Sequence, residues 1–189
     1  MKRLTLIFLI LLTNPHTALA EDNQSVLVNE IAWMGTTSSA SDEWIELFNP
    51  SENNVDLSGW SLESSDGKLK IQLKNQISAK SFYLLERTDD NTVAGKTADQ
   101  LYSGSLNNGG LDIALYDNNH TVIDQANVAL KWPAGNNTTK QTMERASRLT
   151  WQTSSDSGGT PGALNSPGLI EKAETPKEPA LKSTATQEP

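Results

Sequence analysis

The chain has 189 residues, a net charge of −8 and no cysteine, and these properties exclude several classes of protein. An acidic chain is poorly suited to the phosphate backbone of nucleic acids, whose binding depends on Lys and Arg. Without cysteine there is no thiol nucleophile, disulfide, iron–sulfur cluster or Cys-ligated zinc. The length and the 36% of hydrophobic residues fit one domain with tails. We expect a monomer that binds no nucleic acid.

The first residues of the chain have the pattern of a secretory signal peptide. Lys2 and Arg3 precede an apolar run over 4–12, and Ala18-Leu19-Ala20 has the small-x-small form of a cleavage site. This run is too short to span a bilayer, which needs about twenty residues. We therefore predict that 1–20 is cleaved, which leaves no transmembrane anchor and a secreted, periplasmic or cell-surface protein. The alternative is an uncleaved N-terminal anchor.

The pattern over 25–168 is typical of an all-β domain. Short segments with apolar residues at every second position alternate with turns rich in Gly, Asn, Asp and Pro, and helical periodicity is not sustained. The predicted strands are 26–33, 43–48, 60–63, 69–73, 82–86, 111–116, 122–124 and 141–145. Strands of this length and spacing indicate a sandwich or a barrel.

The last part of the chain, 169–189, has a different composition. It contains three prolines, four glutamates and three lysines but no aromatic residue. Such a segment cannot bury enough apolar surface to offset the entropy lost on folding. We predict a disordered tail there, a domain over 25–168, and a short segment over 21–24 before it.

Three stretches of the predicted domain carry a resemblance to a known family. They are Val28-Asn29-Glu30-Ile31-Ala32-Trp33, then Asp42-Glu43-Trp44-Ile45-Glu46-Leu47-Phe48-Asn49-Pro50 with Val55-Asp56-Leu57-Ser58-Gly59-Trp60-Ser61-Leu62, and finally Met143-Glu144-Arg145 with Trp151 and Gly159-Thr160-Pro161-Gly162-Ala163-Leu164-Asn165. Together they resemble the lamin tail domain family, which is named from nuclear lamins and is also found in secreted bacterial proteins, and the closing stretch is similar to that of the bacterial members. The resemblance implies an immunoglobulin-like β-sandwich with a binding, targeting or scaffolding role and no catalytic residues.

The strand over 43–48 also permits a prediction from its alternation. A period of two places Trp44 and Glu46 on one face and Ile45 on the other. If the face of Glu46 is buried, its carboxylate needs a partner. We predict a buried ion pair between Glu46 and Arg145.

Glycine and tryptophan residues are further candidates for structural roles. Gly59, before Trp60, permits a backbone angle or a close approach that a Cβ would block. Large aromatic side chains supply buried area where no disulfide is present. The tryptophans expected to do so are Trp33, Trp44, Trp60, Trp132 and Trp151.

A serine motif raises the question of catalysis. Asp156-Ser157-Gly158-Gly159 is similar to the nucleophile motif of trypsin-like proteases, but a histidine base would also be needed. The mature chain keeps only His120, in a predicted hairpin turn. We interpret the motif as a Ser/Gly loop and predict that the protein is not an enzyme. The alternative is a component of a secreted hydrolase that uses the carboxylates of Asp42, Glu43 and Glu46 on polysaccharide or nucleic acid.

We expect no cofactor, although the composition leaves calcium open. Calcium takes oxygen ligands alone, and the predicted loops are rich in acids. The candidate ligands are Asp42, Glu43 and Asp117, together with Asp66, Asp89 and Asp90 by residue type. No EF-hand spacing is present in the sequence.

A tryptophan beside a polar loop is the candidate binding site. Trp132 precedes Asn136 and Asn137, and an exposed ring there would stack a sugar or anchor a protein. The alternative is that Trp132 closes the core, as large aromatic residues usually do. We therefore expect a binding, adhesion or scaffolding module at the cell surface or envelope, with a protein or an envelope glycan as its partner.

Overall fold

A computed structural model describes residues 26–126 and 131–167. The predicted signal peptide, the segment 21–24 and the predicted tail lie outside these ranges. The described strands are β1 (Leu27–Ala32), β2 (Trp44–Phe48), β3 (Val55–Asp56), β4 (Ser61–Ser64), β5 (Lys70–Gln72), β6 (Gln76–Ile77), β7 (Phe82–Arg87), β8 (Gln100–Tyr102), β9 (Ile113–Tyr116), β10 (Val122–Ala126), β11 (Gln141–Ser147) and β12 (Thr150–Ser157). Within these two ranges, no helix is long and apolar enough to cross a membrane.

Two large sheets form the body of the domain. One has six strands in the order β12-β11-β1-β2-β7-β8, and the other has four in the order β10-β9-β4-β5, while β3 and β6 form a separate pair. A single apolar core joins them, with Ile31 and Leu85 from the first sheet and Leu62 and Leu115 from the second. The prediction of an all-β, immunoglobulin-like β-sandwich is therefore confirmed.

All eight predicted strands are present, with ends shifted by a few residues. Four further strands were not predicted: β3, β6, β8 and β12. The first three have only two or three residues each, too few to show alternation. β12 is the longest strand described, with eight residues, but its Ser/Thr-rich sequence carries one large apolar residue, Trp151, and so shows no hydrophobic period.

The burial of the strand over 69–73 and the backbone angle of Gly59 agree with the predictions from the sequence. Leu69 and Ile71 are buried while Lys70 is exposed, as the alternation predicts. Gly59 has φ +83°, and a Cβ there would lie 3.2 Å from the Cβ of Asn118. The predicted need for glycine at this position is confirmed.

The six-stranded sheet is covered on both faces. Ile45 of β2 points into the core, whereas Trp44 packs on the opposite face with Ala32 and Leu84. Residues 158–167, which we call the strap, follow β12 and contribute hydrogen bonds to the same outer face. The face that carries Glu46 is thus buried beneath the strap.

Candidate functional site

Three buried glutamates lie side by side on the outer face of the six-stranded sheet. Glu30 of β1 is the register partner of Glu144 on β11 and of Glu46 on β2. All three side chains are 0% exposed. Like charges directly opposite one another on neighbouring strands are destabilising. This glutamate row therefore needs hydrogen-bond donors or retained protons.

The strap supplies several of these donors. The main-chain N–H of Thr160 donates to Glu30 Oε1 at 3.0 Å. The Thr160 hydroxyl lies 3.0 Å from Glu30 Oε2 and 3.0 Å from Glu144 Oε1, between the two carboxyl groups. The main-chain N–H of Gly162 donates to Glu46. The glutamate row thereby fastens the strap to the sheet.

The remaining contacts of the row are also hydrogen bonds from neutral groups. The Thr142 hydroxyl donates to Glu30, and the side-chain amide of Asn29 donates to Glu46. Glu144 accepts hydrogen bonds from the side chain of Gln152 and from the N–H and hydroxyl groups of Ser166. Among the described residues, no salt bridge reaches any of the three carboxylates. Three ionised carboxylates without a paired cation would be costly to bury.

Burial accordingly changes the acidity of the row. Desolvation raises the pKa of Glu30 to about 7, and the neighbouring Glu144 carboxylate raises it further against hydrogen bonds from Thr142 and Thr160. Desolvation raises the pKa of Glu46 to about 8, with a smaller contribution from Glu30 in the same direction. Glu30 and Glu46 therefore retain protons near neutral pH.

The predicted ion pair between Glu46 and Arg145 is wrong. Glu46 accepts a hydrogen bond from Asn29 at 2.9 Å, whereas Arg145 Nη2 lies 2.6 Å from Asp124 Oδ2. Because Glu144 faces the strap, the alternation of β11 turns the next residue, Arg145, toward the other face of the sheet. There Arg145 meets Asp124 of β10 in the second sheet.

A groove separates β10 from the β11–β12 hairpin. Its volume is about 570 Å³, and Val122, Leu149 and Trp151 are among the residues that line it. Leu149 is 86% exposed and Val122 is 47% exposed. The Arg145 guanidinium, which also lines the groove, lies 4.5 Å from the centroid of the Trp151 ring. We call Val122, Leu149 and Trp151 the tip surface.

Trp132, the candidate binding aromatic, lies in the core. It is 4% exposed, its ring stacks on Trp33 with centroids 5.9 Å apart, and its Nε1 donates to Asn107 O at 2.7 Å. The hypothesis of an exposed ring is wrong, and the alternative that Trp132 closes the core is correct.

Asn136 and Asn137 form a turn before β11. Asn136 Oδ1 accepts the N–H of Thr138 at 2.9 Å, and Asn137 Oδ1 accepts Lys140 Nζ at 2.7 Å. Their side chains therefore stabilise the turn itself. Their proposed role in binding stays a prediction.

The structure does not bring the candidate calcium ligands together. Asp42 accepts the Thr36 hydroxyl at 2.6 Å, Glu43 pairs with Arg87 at 3.2 Å, and Asp117 caps the β9–β10 hairpin. The described ranges hold no group of three or more His, Asp or Glu residues suited to a metal ion. Each of these acids instead has a contact within the protein.

The serine motif spans the end of β12 and the start of the strap: Asp156 and Ser157 are the last residues of the strand, and Gly158 and Gly159 follow it. Gly158 and Gly159 have φ angles of +84° and +71°, which glycine adopts without steric cost. His120 lies in the β9–β10 hairpin, where its ring stacks on Tyr116 at 4.3 Å. The interpretation of the motif as a Ser/Gly loop therefore holds for Gly158 and Gly159 but is wrong for Asp156 and Ser157, which belong to β12.

Sequence reasoning missed Glu30 and Glu144 as members of the site. Both stand among buried residues in the middle of a strand, as Glu46 does. An acid at that place in three separate strands is the signal that could have revealed the row, since charged residues are almost never fully buried without partners.

Residues 20–129 of the chain match the family model of the lamin tail domain. No curated protein was found to match the chain. The matched range covers more than half of the chain and ends before β11, which pairs directly with β1 in the same sheet. The family consists of non-enzymatic, immunoglobulin-like domains that typically mediate protein interactions. The chain belongs to the lamin tail domain family.

Proposed function

We propose that the chain is an exported, non-enzymatic binding module that engages a protein partner through the tip surface. The observation that carries this proposal is Leu149, a large aliphatic side chain that is 86% exposed at the rim of a groove. Contiguous exposed apolar surface on a soluble domain marks interaction sites. The signal-peptide pattern in 1–20 supports export to the envelope or cell surface.

The chemistry of the tip surface favours a protein over a glycan. Each aromatic residue in the described ranges is buried or partly buried, so none offers a fully open ring face to a sugar. Val122 and Leu149 instead present aliphatic side chains on either side of the groove. Aliphatic contacts around a half-buried tryptophan suit an apolar segment of another protein.

The arrangement of the acids favours binding over hydrolysis. Glu43 and Glu46 are 4% and 0% exposed. Their oxygens accept the main-chain N–H groups of Leu106 and Gly162, respectively. A general acid or base must reach its substrate within hydrogen-bond distance, and these carboxyl groups are already engaged by the fold.

The test is co-purification from envelope extracts of cells that export the protein. Leu149→Glu places a charge on the tip surface, and the matched control Leu101→Glu places the same charge on β8, at the opposite edge of the sheet, where Leu101 is 46% exposed. We expect the wild type and Leu101→Glu to retain the same protein, and Leu149→Glu to retain about tenfold less. Equal retention by all three, or capture of glycan alone, would contradict the proposal.

A further inference from the structure

Two adjacent glycines, Gly158 and Gly159, stand at the start of the strap, and we call this pair the hinge. A Cβ at Gly158 would meet no atom within 4 Å, so the chain has free space there. Gly159 packs against the sheet, where a Cβ would lie 1.8 Å from Glu30 Oε1. The transition from open to tightly packed backbone therefore occurs between two adjacent glycines with positive φ. Such a pair allows the chain to pivot.

The other end of the strap has an anchor that does not titrate. Asn165 Nδ2 donates to Arg145 O at 2.9 Å, and its Oδ1 accepts Asn29 Nδ2 at 2.9 Å. Amide side chains do not ionise, so they keep the same hydrogen-bonding groups as the pH changes. The central turn, 159–163, thus lies between a hinge and a fixed anchor.

The central turn is attached to the sheet through the glutamate row. The N–H groups of Thr160 and Gly162 donate to Glu30 and Glu46, respectively. The charged groups that face this pair are Glu144 on β11, Lys96 over Gly162, and Asp99 beside β7. Lys96 is the one cation among them, and it makes no salt bridge with the row within the described ranges.

We propose that the central turn 159–163 is a pH-gated cover, which lies on the six-stranded sheet while Glu30 and Glu46 retain protons and lifts when these two carboxyl groups ionise. Ionisation of register neighbours places like charges directly opposite one another in a dry site. Lifting the turn admits water to these carboxylates and relieves that cost. The hinge at 158–159 permits the motion, and the Asn165 anchor limits it to the central turn.

The direction of the switch follows from the proton balance. Glu30 and Glu46 have raised pKa values of about 7 and about 8 in the closed form. An exposed glutamate titrates near 4.3, so the closed form binds more protons than the lifted form across the range between these values. Rising pH therefore favours the lifted form, by up to about tenfold per pH unit for each proton released.

Amide hydrogen exchange measured by NMR tests this proposal on the folded protein. Protection of the Thr160 and Gly162 amides, corrected for intrinsic exchange, is expected to fall at least about tenfold between about pH 6 and about pH 8.5. The matched control is the Thr121 amide, which donates to the partly exposed Asp117 carboxylate at 2.8 Å. Hydrogen bonds keep the pKa of Asp117 low, so this acceptor stays ionised throughout and protection of Thr121 should not change.

Glu30→Gln supplies the second arm of the test. Glutamine resembles the protonated glutamate, and the Thr142 and Thr160 hydroxyls can rotate to suit it. In this variant, protection of the Thr160 amide should vary less than about threefold over the same pH range. Equal protection of Thr160 and Gly162 at both pH values in the wild type, or the same fall in Glu30→Gln as in the wild type, would overturn the proposal. If Glu30→Gln does not fold, the comparison of Thr160 and Gly162 with Thr121 in the wild type decides alone.

Discussion

Thr160 donates its main-chain N–H to Glu30 at 3.0 Å, across 130 positions of sequence. This contact joins the strap to β1, the central strand that pairs with both β2 and β11. The strap lies beyond the range matched by the family model, yet its hydrogen bonds end on a strand within that range. Residues 158–167 are therefore integrated into the domain.

The stability of the domain should fall as pH rises through neutrality. Between the unfolded pKa of glutamate and the raised values of about 7 for Glu30 and about 8 for Glu46, the folded state binds more protons than the unfolded state. Desolvation also raises the pKa of Glu43 and Glu86, which adds to the same direction. Urea unfolding should show a free energy of unfolding lower by at least about 2 kcal/mol at about pH 8 than at about pH 5.5.

Acids with a lowered pKa change the stability of the domain only at acidic pH. Hydrogen bonds lower the pKa of Asp66 and Asp117, so their contribution is lost only as the pH falls below the ordinary range of aspartate. They cannot mask the change expected near neutral pH. A free energy of unfolding that rises from about pH 5.5 to about pH 8 would show that Glu30 and Glu46 are ionised in the folded protein.

Adjacent glycines at the hinge should differ in their tolerance of a methyl group. In Gly159→Ala the Cβ would lie 1.8 Å from Glu30 Oε1 and 2.3 Å from Thr142 Oγ1, in addition to the strain of φ +71°. In Gly158→Ala only the strain of φ +84° is present. We expect a loss of about 1 kcal/mol for Gly158→Ala and at least about 2 kcal/mol more for Gly159→Ala, measured by urea unfolding. Equal losses would mean that the strap does not pack on Glu30.

The ion pair between the two sheets should be important for stability. Asp124 and Arg145 are both 5% exposed in their side chains and lie 2.6 Å apart. Asp124→Ala leaves a buried guanidinium without this carboxylate, which should lower the free energy of unfolding by about 3–5 kcal/mol. The control is Glu63→Ala, which breaks a partly exposed pair with Lys70 and should cost less than about 1 kcal/mol. Comparable losses in the two variants would contradict the assigned role of Asp124.

The sandwich could be predicted because the sequences of its core strands show which of their faces are buried. The alternation in 69–73 and the mixed pattern of 43–48 reflect burial of one or both faces, and both strands occur where expected. The sequence of β12 has no such hydrophobic pattern. Its residues are held by pairing with β11 and by hydrogen bonds that involve polar side chains. The long edge strand therefore escaped prediction.

The site was harder to predict, because it depends on contacts between distant parts of the chain. Local alternation correctly placed Glu46 and Ile45 on opposite faces of β2. The partner of Glu46 depended on the register of β1 and β11 and on the path of the strap, which sequence patterns do not specify. Alternation does place Glu144 and Arg145 on opposite faces of β11, but by itself it does not show which of the two shares a face with Glu46.

Site-specific photo-crosslinking in the envelope tests the proposed binding function most directly. A photoreactive residue at position 149 would report on the tip surface, where Leu149 is 86% exposed, and one at position 101 would report on β8, where Leu101 is 46% exposed. We predict a discrete adduct with one protein from position 149 and none from position 101. Adducts of the same protein from both positions with equal yield, or no protein adduct from position 149, would contradict binding through the tip surface.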